Sequence, residues 1–426
     1  MYNENAVNFM KDFECAYETL LKVVVYNTPF NTAIQETLDN HNKNNQDPRL
    51  KSLLFAVCGC VLRHYYVFKE VISRQYHNIS EENFLLIALG IGNKLFAKRI
   101  DQEKLEKFIA KKTGLQGAPM FIECFMDPKT LIPEDIQYGT AEYYALRYNI
   151  PFWVIRLWQQ DGGELISRKL FYSVTNRPNN LVRINEDVIE TNDFFEKYND
   201  YTSLGTKEGI AAYLREDSPR KSRAVIQGDA MRIPLSYKKM CEYFLLTDKQ
   251  DIAIYGCGTN HLLEELDTRL GHDFKAKYIS GHAGHVLEIQ DVIKQYGLSN
   301  VQLIEKDYAH LNECLDKPVD IFFVCPRSSF LLGLFDRADH FLRIKEEDIA
   351  RLEREEYADL VAASQYVKKD GYLIYYVTTF CHKEGKKLIQ KFLDNNSNYS
   401  LIKDKQIFPF DKYQSMLYFA VMKKEK

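Results

Sequence analysis
From residue 250 to the end of the chain, short runs of β-branched and aromatic residues alternate with helix-period segments. That alternation limits the fold more than any other feature. The strand-like runs are Ile252–Tyr255, Tyr278–Ile279, Val301–Ile304, Ile321–Val324, Leu373–Val377 and Met416–Val421. Between most of them lie the helical patterns His261–Leu270, Val286–Tyr296, Glu347–Val367 and Lys383–Leu393. Strand and helix in turn predict a doubly wound α/β sheet with crossover connections. Ligands of such sheets sit outside the carboxyl ends of the strands, near the first strand-to-helix turn. Here that turn is Gly256-Cys257-Gly258. A single Gly-x-Gly also suits a plain tight turn, so only its place after the first strand points to a nucleotide-type cofactor.

Residues 1 to about 112 read as helix after helix. Phe9, Phe13, Ala16, Tyr17, Leu20, Leu21 and Val24 recur at three- and four-residue steps, the spacing of one helical face. Thr28 and Pro29 end that pattern, Asn40 to Asp47 reads as a polar loop, and Pro48 suits the first turn of a helix. Leu50 to Ser73 is apolar enough for the buried central helix of a bundle. Ser80 followed by Glu81 and Glu82 marks a helix start before Leu85 to Phe96. His41, His64 and His77 are scattered, so this block reads as an interaction module without chemistry of its own.

Residues 113 to about 225 hold shorter elements, punctuated by Pro119, Pro128, Pro133, Pro151 and Pro178, and contain both Trp residues, 153 and 158. The whole chain is near neutral, with 56 Lys+Arg against 59 Asp+Glu. Charge is nevertheless uneven: Tyr201 to Met240 holds eight Lys/Arg and four Asp/Glu, and 8 − 4 gives a local +4. Near-neutrality therefore excludes a uniformly basic nucleic-acid coat but permits a local basic face. The densest point is Arg220, Lys221 and Arg223, a solvated run that also suits phosphate contact. Nine Cys without framework spacing point to reduced thiols and a cytoplasmic protein. The longest apolar stretch, Leu53 to Leu62, is about half the roughly 20 residues of a membrane span, so no membrane association is expected.

Three stretches together resemble the ribosomal-RNA cytosine-C5 methyltransferases of the RsmB/Sun type. Asp47-Pro48-Arg49 with Leu53 to Tyr66 resembles the central helix of a NusB-like bundle. Tyr148-Asn149-Ile150-Pro151-Phe152-Trp153-Val154, with Trp158, Asn176-Arg177-Pro178 and Arg183-Ile184-Asn185, resembles the entry to the family's small RNA-binding subdomain. Val225 to Ala230 resembles the segment leading into the methyltransferase core. The resemblance implies an α plus α/β chain in three parts. These are a NusB-like helical domain (1–140), a small α+β RNA-binding subdomain (141–224) and a Rossmann-like S-adenosylmethionine (SAM) methyltransferase sheet (225–426).

The chemistry implied by that family does not carry over. The C5 of cytosine becomes nucleophilic only after a thiolate adds at C6. The family places the thiol in Thr-Cys-Ser after the fifth strand and a second one in Pro-Cys-Ser after the fourth. In this chain Thr378 stands at the first position and Arg327 at the second. A Thr hydroxyl is a far weaker nucleophile unless a base activates it, and none is visible in the adjacent sequence. Cys325 and Cys381 are offset by two and three residues. At about 3.3 Å per extended residue that is roughly 6–10 Å, too far for reacting atoms.

Cofactor positions are thinned as well. Gly256 and Gly258 remain in the first loop. The loop after the second strand, Ser280 to His285, carries no acid for the ribose, and Asp307 alone matches the acid near the adenine. The family's acid before the second thiol loop aligns with Val324, so one of three expected acids is kept, and SAM is implied by the resemblance while its retention is doubtful. His282 and His285 with Cys257 and His261 invite a zinc reading, but two His three residues apart lack a defined tetrahedral set, and no metal is expected.

These readings converge on a degenerate family member that binds structured RNA, ribosomal by resemblance, without making 5-methylcytosine. An active methyltransferase with an altered site or target is the alternative, and a protein-interaction scaffold using the helical domain is the third. The helical domain is expected to have a protein partner.

Overall fold
The computed structural model describes residues 4–41, 48–175, 181–186, 188–204, 209–214, 222–231, 235–256, 261–271, 274–331, 337–411 and 415–426. The chain divides into two units, Met1–Asn176 with Gly333–Lys345, and Arg177–Leu332 with Glu346–Lys426.

The first unit is helical. Its helices are α1 (Glu4–Val24), α2 (Phe30–His41), α3 (Pro48–Arg63), α4 (Tyr65–Gln75), α5 (Glu81–Gly92), α6 (Gln102–Thr113), α7 (Ala118–Glu123), α8 (Ala141–Tyr148) and α9 (Phe152–Thr175). Ser80 caps α5 by accepting the Asn83 N–H at 3.3 Å. In α5 every residue from Phe84 to Gly92 is buried, which is what a helix apolar on all faces requires. A Cβ on Gly90 would come within 2.6 Å of Ile122 and 2.8 Å of Ile109, so the glycine lets these helices approach.

The single central helix expected over Leu50 to Ser73 is two helices, α3 and α4, bent by 67°. A residue remote in sequence bridges the break. Asn149 sits at a left-handed φ of 51° just past α8. Its Oδ1 accepts the Tyr66 N–H at 2.8 Å, and its Nδ2 donates to the Leu62 carbonyl at 3.1 Å. One side chain thus satisfies backbone groups on both sides of the bend. Beside it, burial keeps His64 neutral, with a pKa pushed down to about 4, and its ring stacks on Phe96 at 3.9 Å. Asn149→Ala strands one buried and one partly buried backbone group and is expected to lower stability by about 2 kcal/mol, read from urea denaturation of the whole chain. An unchanged midpoint would mean water replaces the amide. Among the described residues no single helix is long and apolar enough to cross a membrane.

The second unit opens with a small sheet. Its elements are β1 (Leu181–Ile184), α10 (Thr191–Lys197), β2 (Tyr201–Ser203), β3 (Ile210–Tyr213), α11 (Arg223–Ile226) and β4 (Ala230–Met231). The strand order is β2-β3-β1-β4, and every pairing is antiparallel. Phe194, Tyr198, Tyr201 and Tyr213 fill its core. Buried Asp229 accepts from the Tyr198 hydroxyl and from Lys197 Nζ, both at 2.6 Å.

After α12 (Leu235–Met240) comes the large sheet. Its first half runs β5 (Ile252–Gly256), α13 (His261–Leu270), β6 (Ala276–Ile279), α14 (Ala283–Tyr296), β7 (Val301–Ile304), α15 (Leu311–Cys314) and β8 (Val319–Cys325). A short helix of the first unit, α16 (His340–Arg343), intervenes before α17 (Glu346–Ser364), β9 (Val367–Val377), α18 (Lys386–Asn395), β10 (Tyr399–Ile407) and β11 (Leu417–Lys424). The seven strands lie in the order β10-β11-β9-β8-β5-β6-β7. The five strands from β5 to β9 are parallel, and β10 and β11 are antiparallel additions. The expected doubly wound sheet is therefore present, with one strand more than the sequence patterns marked. β10 escaped because Lys403, Asp404 and Lys405 break its apolar run. Charges of this kind suit an edge strand.

Candidate functional site
The carboxyl ends of the parallel strands form the candidate site. At the end of β5, Gly256 has φ +133°, and a Cβ there would lie 1.7 Å from the Cys325 carbonyl oxygen at the end of β8. Two strand ends meet so closely that only glycine fits. That requirement belongs to the sheet and needs no ligand. Gly258, with the rest of 257–260, lies outside the described residues.

After β6 the stretch Ser280–His285, read as lacking the ribose acid, opens on buried Ser280. Its hydroxyl lies 3.3 Å from His285 Nδ1. His282 caps α14 by accepting the His285 N–H at 3.3 Å. Asp307, after β7, is exposed and engaged locally: its Oδ1 takes the Ala309 N–H at 3.0 Å and faces His310 Nδ1 at 2.6 Å. The His310 contact holds its carboxyl below the usual range. The stretch Ser280–His285 carries no acid, and Asp307 caps its own turn. His261 pairs with Glu264 at 2.9 Å instead of turning to the other histidines. Among the described residues no group of three or more His, Cys, Asp or Glu is arranged to hold a metal ion.

At the ends of β8 and β9, register pairs Val324 with Tyr375, which brings the loops carrying Arg327 and Thr378 to the same rim. Arg327 is exposed and Thr378 half-buried. The thiols of Cys325 and Cys381 are buried. Arg220 and Lys221 lie outside the described residues, while Arg223 is exposed at the start of α11.

One residue past Thr378 lies a buried polar cluster that sequence reasoning missed. Ser329 donates its N–H to Glu384 Oε1 at 2.6 Å and its hydroxyl to Oε2 at 2.5 Å. Thr379 Oγ1 lies 2.9 Å from Ser329 Oγ and 3.5 Å from Glu384 Oε2. The Tyr375 hydroxyl donates to the Glu384 carbonyl at 2.7 Å. Ser329, Thr379, Glu384 and Tyr375 are all essentially inaccessible. A carboxyl group thus stands beside two hydroxyls, those of Ser329 and Thr379, and not beside that of Thr378. All three groups are closed to substrate.

Behind Glu384 sits Glu356 of α17, also fully buried, its carboxyl group facing that of Glu384. Burial first, and the neighbouring Glu384 next, push its pKa up to about 12, so it is a neutral acid. Glu384 is raised too, by burial, and the Ser329 hydrogen bonds oppose that rise. A periodicity signal for Glu356 existed. It falls on the buried stripe Ile349, Leu352, Glu356, Asp359, Leu360, Ala363.

A seven-stranded sheet with parallel β5–β9 and an antiparallel end, carrying its site at the strands' carboxyl ends, defines a Rossmann-like methyltransferase fold. Residues 256–416 match the family model described as 16S rRNA methyltransferase RsmB/F. In overall fold the chain is similar to the protein PH0851, at TM-score 0.70 and 14% identity over 97% of this chain and 98% of the other. A methyltransferase homolog protein from Pyrococcus horikoshii gives TM-score 0.56 and 14% identity over 68% of this chain and 100% of its own. NSun6 from Pyrococcus horikoshii, in a structure with SFG, gives 0.55 and 12% over 68% and 98%. None of the curated proteins matches the chain.

Proposed function
We propose that the chain is a degenerate RsmB/F-type protein that binds structured RNA, ribosomal in origin, and does not form 5-methylcytosine. The observation that carries this reading is the chemistry at the ends of β8 and β9. Arg327 and Thr378 occupy the rim, the thiols of Cys325 and Cys381 are buried, and the nearest carboxylate is closed off with Ser329 and Thr379. Addition to cytosine C6 needs an accessible thiolate at reacting distance, which these groups do not supply. The missing acid after β6 supports a weakened hold on SAM. The three-part division 1–140, 141–224 and 225–426, a NusB-like character of the first part, a protein partner for it and a cytoplasmic location belong to the same proposal.

The test is to incubate the purified chain with labelled SAM and ribosomal RNA and to digest the RNA to nucleosides. RNA retention without labelled 5-methylcytosine is expected. Appearance of that nucleoside overturns the proposal.

A further inference from the structure
Four cations stand around the ends of β8 and β9: Arg327, Lys383, Lys386 and Lys387. All four side chains are exposed, and none has an ion-pair or hydrogen-bond partner among the described residues. By contrast Lys306, after β7, pairs with Glu313. The acid that interrupts the run in sequence, Glu384, is buried and turned to Ser329, so the segment shows solvent only positive charge.

Aromatic rings adjoin these cations. Phe408 and Phe410, just past β10, stack at 4.7 Å and within 10° of parallel. Phe380 meets Phe408 edge-on at 5.2 Å and His382 at 5.7 Å. Gln406 Nε2 reaches the Thr379 carbonyl at 3.4 Å, which places the β10 end beside the β9 loop. Phe408 and Phe410 are half-buried, and Asp411 closes their turn by accepting the Phe408 N–H at 3.0 Å.

Unpaired cations and flat apolar rings on one rim match two parts of one ligand. Phosphates take the cations, and unstacked bases take the rings. A duplex offers phosphates but keeps its bases stacked inside. An acidic protein surface offers charge without flat π faces. We propose that this rim, Arg327–Lys383–Lys386–Lys387 with Phe408 and Phe410, is a binding platform for an unpaired stretch of RNA. It works by stacking and phosphate contact, not by reaction at Thr378. The inference rests on the RNA-binding reading above and names the surface and the strand state it takes.

The test uses the full chain and a fluorescent twelve-nucleotide single-stranded oligoribonucleotide, its duplex and inorganic polyphosphate. For Lys383→Glu/Lys386→Glu/Lys387→Glu, single-strand affinity is expected to fall by tenfold or more, with a salt dependence shallower by about two to three counterions. Phe410→Ala is expected to weaken single-strand binding by about tenfold and polyphosphate binding hardly at all. The exposed pair Lys111→Glu/Lys112→Glu, in the helical unit, serves as the charge control, and circular dichroism checks folding of every variant. If the wild type binds ribosomal RNA and the triple variant binds the oligonucleotide as tightly, the platform is overturned while the RNA reading stands. If Phe410→Ala weakens single strand and polyphosphate equally, or the duplex binds as well as the single strand, the platform is also overturned. Failure of the wild type to bind any RNA overturns both.

Discussion
Replacing Glu356 by Gln is expected to stabilise the protein at neutral pH, by about 3 kcal/mol at pH 7. In the folded chain the buried carboxyl carries its proton up to about pH 12, whereas its ordinary value is 4.5. Above pH 4.5 the unfolded chain releases that proton and the folded chain must keep it. Folding then takes up a proton, and stability falls as pH rises. The loss starts near pH 4.5 and grows by a little over ~1 kcal/mol per pH unit through the neutral range. Glutamine has the shape of the neutral acid and needs no proton. Urea denaturation of wild type and Glu356→Gln at pH 5.5 and 8 checks this. The gap in favour of the variant should widen between the two values, and a gap independent of pH would refute the neutral-acid assignment.

The second large effect runs the other way. Arg183 of β1 and Glu265 of α13 form an ion pair at 3.0 Å with side chains 7% and 2% exposed. Arg269 donates to the same carboxylate at 2.7 Å. The pair joins the small sheet to the first helix of the large one. Arg183→Met leaves Glu265 buried with one cation and should cost about 3–5 kcal/mol. Arg183→Met combined with Glu265→Leu removes both charges and should recover most of that loss. A double variant as unstable as the single one would assign the effect to packing instead of charge.

Much of the sheet was legible in the sequence because β5, β8 and β11 are buried on both faces and read as unbroken apolar runs. The His261–Leu270 helix emerged with the same bounds for a related reason: a clean apolar stripe follows a Gly-rich turn. Local pattern failed where a distant residue decides the outcome. Leu50 to Ser73 has the composition of one helix, and the bend comes from Asn149, more than 80 positions away. At the candidate site, substitution of the thiol positions was plain in the residue types. The cluster of Ser329, Thr379, Glu384 and Glu356 was not, since its members come from three separate stretches. An acid on the buried stripe of α17 was its one local sign.

The segment Gly333–Lys345 belongs to the helical unit although the strand-and-helix unit flanks it in sequence. Asp339 Oδ2 accepts the Phe30 N–H at 3.1 Å, the Phe341 carbonyl takes the Tyr66 hydroxyl at 2.8 Å, and Ala338 lies in the helical core. The peptide therefore passes between the units three times, and a single cut cannot separate them cleanly. A fragment ending at residue 176 would lack a piece of its own interior. A fragment beginning at 177 would carry that piece with Phe341 stripped of its cover. Dissection experiments on this chain need a split-and-rejoin design in which 333–345 is replaced by a polar linker in one half and tethered to the other.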